Sequence, residues 1–118
     1  MDTRKNITGT PLISALIVFS AVFSTASGEG KQVNARDLFV YHCTACHGYD
    51  GKGTKRGRAL DAPDLSDPQW QAMKTDEEIL DSIIHGKNKM PRWSDKLKPE
   101  EIRALARYVR LLAPKIQP

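Results

Sequence analysis

Cysteine is scarce in this chain. Only Cys43 and Cys46 occur among 118 residues. That excludes a small domain stapled by several disulfides. It also excludes a zinc site built from four thiolates. No apolar run reaches the roughly 20 residues that a membrane-spanning helix needs. The run from Leu12 to Phe23 is shorter and includes Ser20. There is no strand-like alternation, internal repeat or low-complexity tract. The chain is too short for a dinucleotide-binding domain of usual size or for a barrel enzyme. Hydrophobic residues at 40% and charged residues at 27% exclude wholesale disorder. The formal net charge is +4, from 18 Lys+Arg against 14 Asp+Glu, too modest a surplus to point to nucleic acid.

Arg4 and Lys5 precede the apolar run, and Ser24-Thr25-Ala26-Ser27-Gly28 follow it. A basic start, a short apolar run and a small-residue exit predict a secretory signal over residues 1–26, cleaved near 26–28. No cysteine lies near that site, so a lipid anchor on the new N-terminus is not expected. Residues 27–33 read as a flexible lead-in, residues 34–114 as one domain and residues 115–118 as a tail. So small a body buries a thin core and often needs a cofactor or cross-link.

The domain reads as all-α, with three main helices and long loops. Asn34 is a good N-cap for the first helix. Ala35, Leu38, Phe39, His42, Cys43 and Cys46 fall at helical spacing on one side, and Gly48 ends the helix. Residues 48–58 hold four glycines and read as a loop. Gln69 to Met73 predict a helical turn. Thr75 with Glu78 is a capping-box pattern, opening a helix that buries Ile79, Leu80, Ile83 and Ile84 and stops at Gly86. Pro99, Glu100 and Glu101 open the last helix, with Ile102, Leu105, Ala106, Val109 and Leu112 in its apolar stripe. Arg103, Arg107 and Arg110 read as its wet face. The loops are long for so small a domain, which makes sense if they wrap a ligand.

Cys43-Thr44-Ala45-Cys46-His47 is Cys-x-x-Cys-His, the attachment sequence for c-type haem. Each of the two haem vinyl groups takes one thiol, and two intervening residues put both thiols within reach. The adjacent imidazole then meets the iron from the same side. Half a zinc site would need further ligands, and only His42 and His85 remain. A dithiol redox pair would need a βαβ frame, which is absent. The second iron ligand must come from elsewhere. Met90 lies in an aperiodic loop before Pro91, whose ring restricts the backbone. Met73 is the competitor, placed where a methionine usually fills the core. His42 reads as surface. His85 ends a helix, where an imidazole suits the dipole.

The mature chain resembles a small class I cytochrome c over roughly residues 34–113. Three separated signatures support this: Phe39 with Cys43-x-x-Cys46-His47, then Lys89-Met90-Pro91, then Ile102 to Tyr108 in the last helix. The resemblance implies the cytochrome c fold and one haem c per chain, covalent through Cys43 and Cys46. It implies His47 and Met90 as axial ligands. It also implies a helix crossing at Ala35, Phe39, Leu105 and Tyr108. Pro63 matches the family proline whose carbonyl accepts a hydrogen bond from the proximal imidazole, a bond that raises its basicity. Lys98 departs from the usual Ser or Thr cap. Trp93 fits either a shield over the methionine side or simple packing. Trp70 and Arg58 are candidate partners for a haem propionate.

Iron bound by both His and Met has no open position, so the expected function is electron transfer without a catalytic residue. The chain is not expected to be an enzyme. The alternatives are a haem c relay subunit of a periplasmic oxidoreductase complex, and a haem enzyme or gas sensor with an open iron site. The expected location is the bacterial periplasm, where haem c is attached outside the cytoplasm, with no stable membrane anchor after cleavage. Redox protein donors and acceptors are the expected partners of a monomer or complex subunit, and no nucleic acid. Basic blocks over residues 50–58 and 87–98 flank the haem motif and Met90 and suit acidic partner surfaces.

Overall fold

The computed structural model describes residues 9–13 and 30–115. The expected cleavage site and the last three residues lie outside the described residues. Among the described residues six helices follow in order: α1 Ala35–His42, α2 Thr44–His47, α3 Lys55–Ala59, α4 Pro68–Met73, α5 Asp76–His85 and α6 Pro99–Arg110. Among the described residues the only strand-like pairing is an isolated bridge between Lys87 and Met90. No helix of the described residues is long and apolar enough to cross a membrane.

The predicted caps form. Asn34 accepts from the Asp37 N–H at 3.2 Å. Thr75 and Glu78 make a full capping box, at 2.9 and 3.1 Å. Lys98 supplies no such side chain. The Glu101 carboxylate still accepts the Lys98 N–H at 2.8 Å, which keeps half of the motif.

Two helical expectations are corrected. The first helix does not run unbroken to Gly48 but divides at Cys43. The Thr44 hydroxyl donates to the Val40 carbonyl at 2.7 Å, and such back-bonding bends a helix. The glycine-rich stretch 48–58 is not all loop, because α3 starts at Lys55. Thr54 caps it by accepting from the Gly57 N–H at 3.0 Å.

The three longer helices, α1, α5 and α6, pack around Phe39, Ile79, Ile83, Ile102, Leu105 and Val109. Phe39 and Leu105 are fully buried where α1 crosses α6. The rings of Phe39 and Tyr108 lie 5.2 Å apart at that crossing. Burying one such side chain stabilises by about 1.5–3 kcal/mol.

Arg110 is not on a wet face. Its Nε donates to Asp76 at 2.7 Å, and its Nη1 to the Gln71 carbonyl at 2.6 Å. Its Nη2 donates to the Lys74 carbonyl. The Gln71 amide in turn donates to the carbonyls of Leu65 at 2.7 Å and Val109 at 2.9 Å. The guanidinium fork thus satisfies carbonyls that the end of α4 leaves unpaired, and ties α4 to α5 and α6.

Ser66 donates its hydroxyl to Asp64 at 2.6 Å and its N–H at 2.8 Å. The hydroxyl chiefly holds the Asp64 carboxyl below its ordinary range. Its contribution to stability is therefore complete above about pH 4 and lost as acid protonates the group. Asp64→Asn should flatten the acid limb of a plot of Tm against pH. An unchanged limb would remove Asp64 from acid stability.

Candidate functional site

The end of α1 delivers Cys43, and one turn, α2, carries Cys46 and His47. The Cys46 and His47 N–H groups both donate to the Cys43 carbonyl, at 3.2 and 2.9 Å. The following loop folds back onto this turn. Gly53 N–H donates to the His47 carbonyl at 2.8 Å, and Thr54 N–H to the Cys46 carbonyl at 2.9 Å. The Thr54 hydroxyl donates to the Ala45 carbonyl at 2.8 Å. Gly57 then packs directly on the Cys46 carbonyl, where a Cβ would overlap the backbone. Gly57 reads in sequence as one loop glycine among four. Its spacing three residues after the cap Thr54 is the signal that separates it.

Met90 is held by a tight turn. Lys87 and Met90 exchange backbone hydrogen bonds of 3.2 and 2.9 Å, and Asn88 between them has φ 53°, which asparagine tolerates. Gly86, at φ 75°, lets the segment close back on α5. A Cβ there would stand 2.6 Å from the Met90 carbonyl oxygen. Trp93 N–H then donates to the Ile83 carbonyl at 3.0 Å.

One cavity of about 630 Å³ gathers all five sequence-predicted residues: Cys43, Cys46, His47, Pro63 and Met90. Phe39, Leu65, Ile79, Ile83 and Leu105 supply apolar wall, and Trp70 and Trp93 also line it. Met73 is not core filler: it is 73% exposed, because α4 turns Trp70 and Gln71 inward instead. His85 is exposed and bonds Asp81 at 2.7 Å. Arg58 does not reach the cavity and donates to the Gly53 carbonyl at 2.7 Å. Arg56 reaches the rim in its place, with Lys87 and Lys89. His42 lines the cavity and is not simply a surface residue.

Burial pushes the Cys43 thiol up to about 11, with the neighbouring Cys46 adding to the shift. Burial lowers the His47 pKa. A neutral imidazole keeps a lone pair for metal. His47 Nδ1 is buried and has no hydrogen-bond partner, so the bond to Pro63 that the resemblance implies is not formed here.

These features fit a large, flat, mostly apolar group held by thiols. The apolar part of the wall suits contact with the faces of such a group. Two thiols, one neutral imidazole and one thioether are the donors that such a group would meet.

Residues 30–109 match the family described as "Cytochrome C oxidase, cbb3-type, subunit III". The chain belongs to this family of cytochrome c domains. It is 37% identical over 76 residues to the cbb3-type cytochrome c oxidase subunit FixP of Bradyrhizobium diazoefficiens, covering 64% of this chain and 25% of FixP. The chain thus spans about a quarter of that relative's length. It is 29% identical over 98 residues to cytochrome c6 of Nostoc sp., covering 83% of this chain and 86% of that one. Among solved structures, the KustC0563 c-type cytochrome is similar at a TM-score of 0.65 and 38% identity, covering 68% of this chain and 98% of that chain. The fold is the all-α cytochrome c fold, and the prosthetic group of this cytochrome c domain is haem c.

Gly57→Ala should be among the most damaging changes outside the ligand set. The added methyl meets backbone, which cannot swing away, so a loss of ~3 kcal/mol or more is expected. Urea unfolding measures it. A midpoint equal to the parent's would remove the close approach.

Proposed function

We propose that this chain is a one-electron carrier whose haem is attached through Cys43 and Cys46 and ligated by His47 and Met90. The observation that carries the reading is that the Cys-x-x-Cys-His motif and the Met90 turn face one apolar cavity, while Met73 faces solvent. When bound, haem iron supplies a single electron by cycling between its ferrous and ferric states. His47, kept neutral by burial, offers its free ring nitrogen. Met90 offers a soft sulfur, which raises the potential. Phe39, Ile79, Ile83 and Leu105 give the cavity an apolar wall that disfavours water. With His47 and Met90 both holding the group, no position would be left for a substrate, and no catalytic role would fall to any residue. Pro63 forms part of the wall beside the motif.

The direct test is reversible one-electron oxidation by a small inorganic oxidant. The carrier should return through many cycles without consuming any third compound. Catalytic turnover of peroxide or oxygen at enzyme-like rates would overturn this reading.

We read the protein as exported to the periplasm, on the sequence features of residues 1–26. Its partners are redox proteins with acidic docking faces. Lys52, Lys55, Lys87 and Lys89 are candidate docking residues, and the last two stand at the cavity rim. Changing these four to Glu should slow electron exchange with an acidic partner at low salt. The difference should vanish near 1 M salt, where screening tightens to about 3 Å. Equal rates at low salt would remove the docking role.

The similarity to FixP favours a second reading, a haem relay module that stays bound to an oxidoreductase. Purification from the native source separates the two. A free monomer supports the carrier, and a fixed stoichiometric partner supports the relay.

A further inference from the structure

At the end of α1, three aromatic rings run from the cavity wall toward solvent. His42 and Trp93 both line the cavity, and their ring centroids lie 5.1 Å apart at an interplanar angle of 63°. Tyr41, 84% exposed, meets His42 at 4.7 Å and 82°. Lys96 Nζ stands 5.5 Å from the centre of the Trp93 ring. Edge-to-face contacts of this kind are attractive beyond their buried area, and so is a cation over indole.

The placement of the pair matters more than its strength. Trp93 follows Met90 by three residues, and His42 immediately precedes Cys43. Among the described residues, the backbone bonds of Met90, Trp93 and Ser94 go to Lys87, Ile83, Ile84 and the turn that follows. None goes to α1 or α2. The Met90 segment is therefore fastened to α5 by its backbone, and to the haem-motif side by side chains. The ring pair bridges those two sides at the cavity wall.

We propose that the His42–Trp93 ring pair is a clasp that keeps the Met90 segment closed on the haem-motif segment, and so sets how often the Met90 sulfur leaves the iron. This rests on the reading of Met90 as an axial ligand. His42 and Trp93 would act through the Met90 segment, as positioning residues. An edge-to-face pair is worth enough to shift an opening equilibrium by roughly two- to tenfold.

The test uses the intact haem protein, reduced and mixed with carbon monoxide. In a closed site the binding rate follows the fraction of time the sulfur is away. His42→Ala and Trp93→Ala should each raise that rate by roughly two- to tenfold. Both should keep the near-infrared band of sulfur bound to ferric iron, and lose it at lower temperature than the parent. The double variant should add little to the larger single effect, because both changes break one contact. His42→Phe keeps a ring in place and should return the rate to the parent's. If Trp93→Ala fails to fold, the two His42 variants decide the matter. Met90→Ala is the reference for an open iron. If it leaves band and binding rate unchanged, the ligation reading fails. If it opens the iron while His42→Ala binds carbon monoxide at the parent's rate, the clasp fails and ligation stands. If His42→Phe is as fast as His42→Ala, ring contact is not what closes the site, and the proposal is overturned.

Discussion

Exported protein with alanine at both Cys43 and Cys46 should lose its haem to acid acetone, whereas the parent should keep it on the chain. The reason lies in the donors. Two thioether links would be irreversible, whereas bonds from an imidazole or a thioether sulfur to iron are reversible and would not hold the group through acid extraction. The consequence for folding should be as large as that for colour. The cavity of about 630 Å³ sits against Phe39, Ile79, Ile83 and Leu105, which form much of the core. A group that binds only the folded chain stabilises it by mass action, and covalent attachment makes that stabilisation permanent. The variant should therefore unfold at far lower temperature, or fail to accumulate. A well-folded variant whose haem resists extraction would show that the cysteines do not attach it.

Alanine in place of Met90 should lower the potential and open the iron. A thioether sulfur favours ferrous iron, so removing it favours the ferric state. A fall of more than about 60 mV is expected, one tenfold step for a one-electron couple. Carbon monoxide should then bind the reduced protein rapidly. Met73→Ala is the matched control. Because Met73 is 73% exposed, its loss should cost no more than about 0.5 kcal/mol and leave potential and spectrum alone. The sequence-based expectation that Met73 fills the core does not hold. If Met73→Ala shifts the potential and Met90→Ala does not, the ligands have been exchanged.

Features that neighbouring residues determine are legible in the sequence. Cys43 to His47 is a local pattern, and so are the Thr75–Glu78 box and Pro99 with its glutamates. The stripe Ile102, Leu105 and Val109 needs only the helical period. Met90 is preferred over Met73 because Pro91 and the absence of periodicity mark a loop. What the sequence hides joins distant parts of the chain. Gly57 matters because it meets the Cys46 carbonyl, and only its spacing from Thr54 hints at that approach. Arg110 bonds residues 34 to 39 positions away, so its helix face alone suggests solvent. His42 shares a helix side with Phe39 and Cys43 yet reads as surface, because nothing local shows that Trp93 comes from the Met90 side of the cavity to meet it. The break at Cys43 is a smaller case, since Thr44 competes for the Val40 carbonyl without any distant partner.

The measurement that tests the pairing of His47 with Met90 most directly is the near-infrared spectrum of the oxidised parent, followed by carbon monoxide added to the reduced form. A closed carrier should show the weak charge-transfer band of sulfur bound to ferric iron. Its reduced form should bind carbon monoxide only slowly. A parent that lacks the band and takes up one carbon monoxide per haem at once would have an open iron, and would be an enzyme or a sensor and not a carrier.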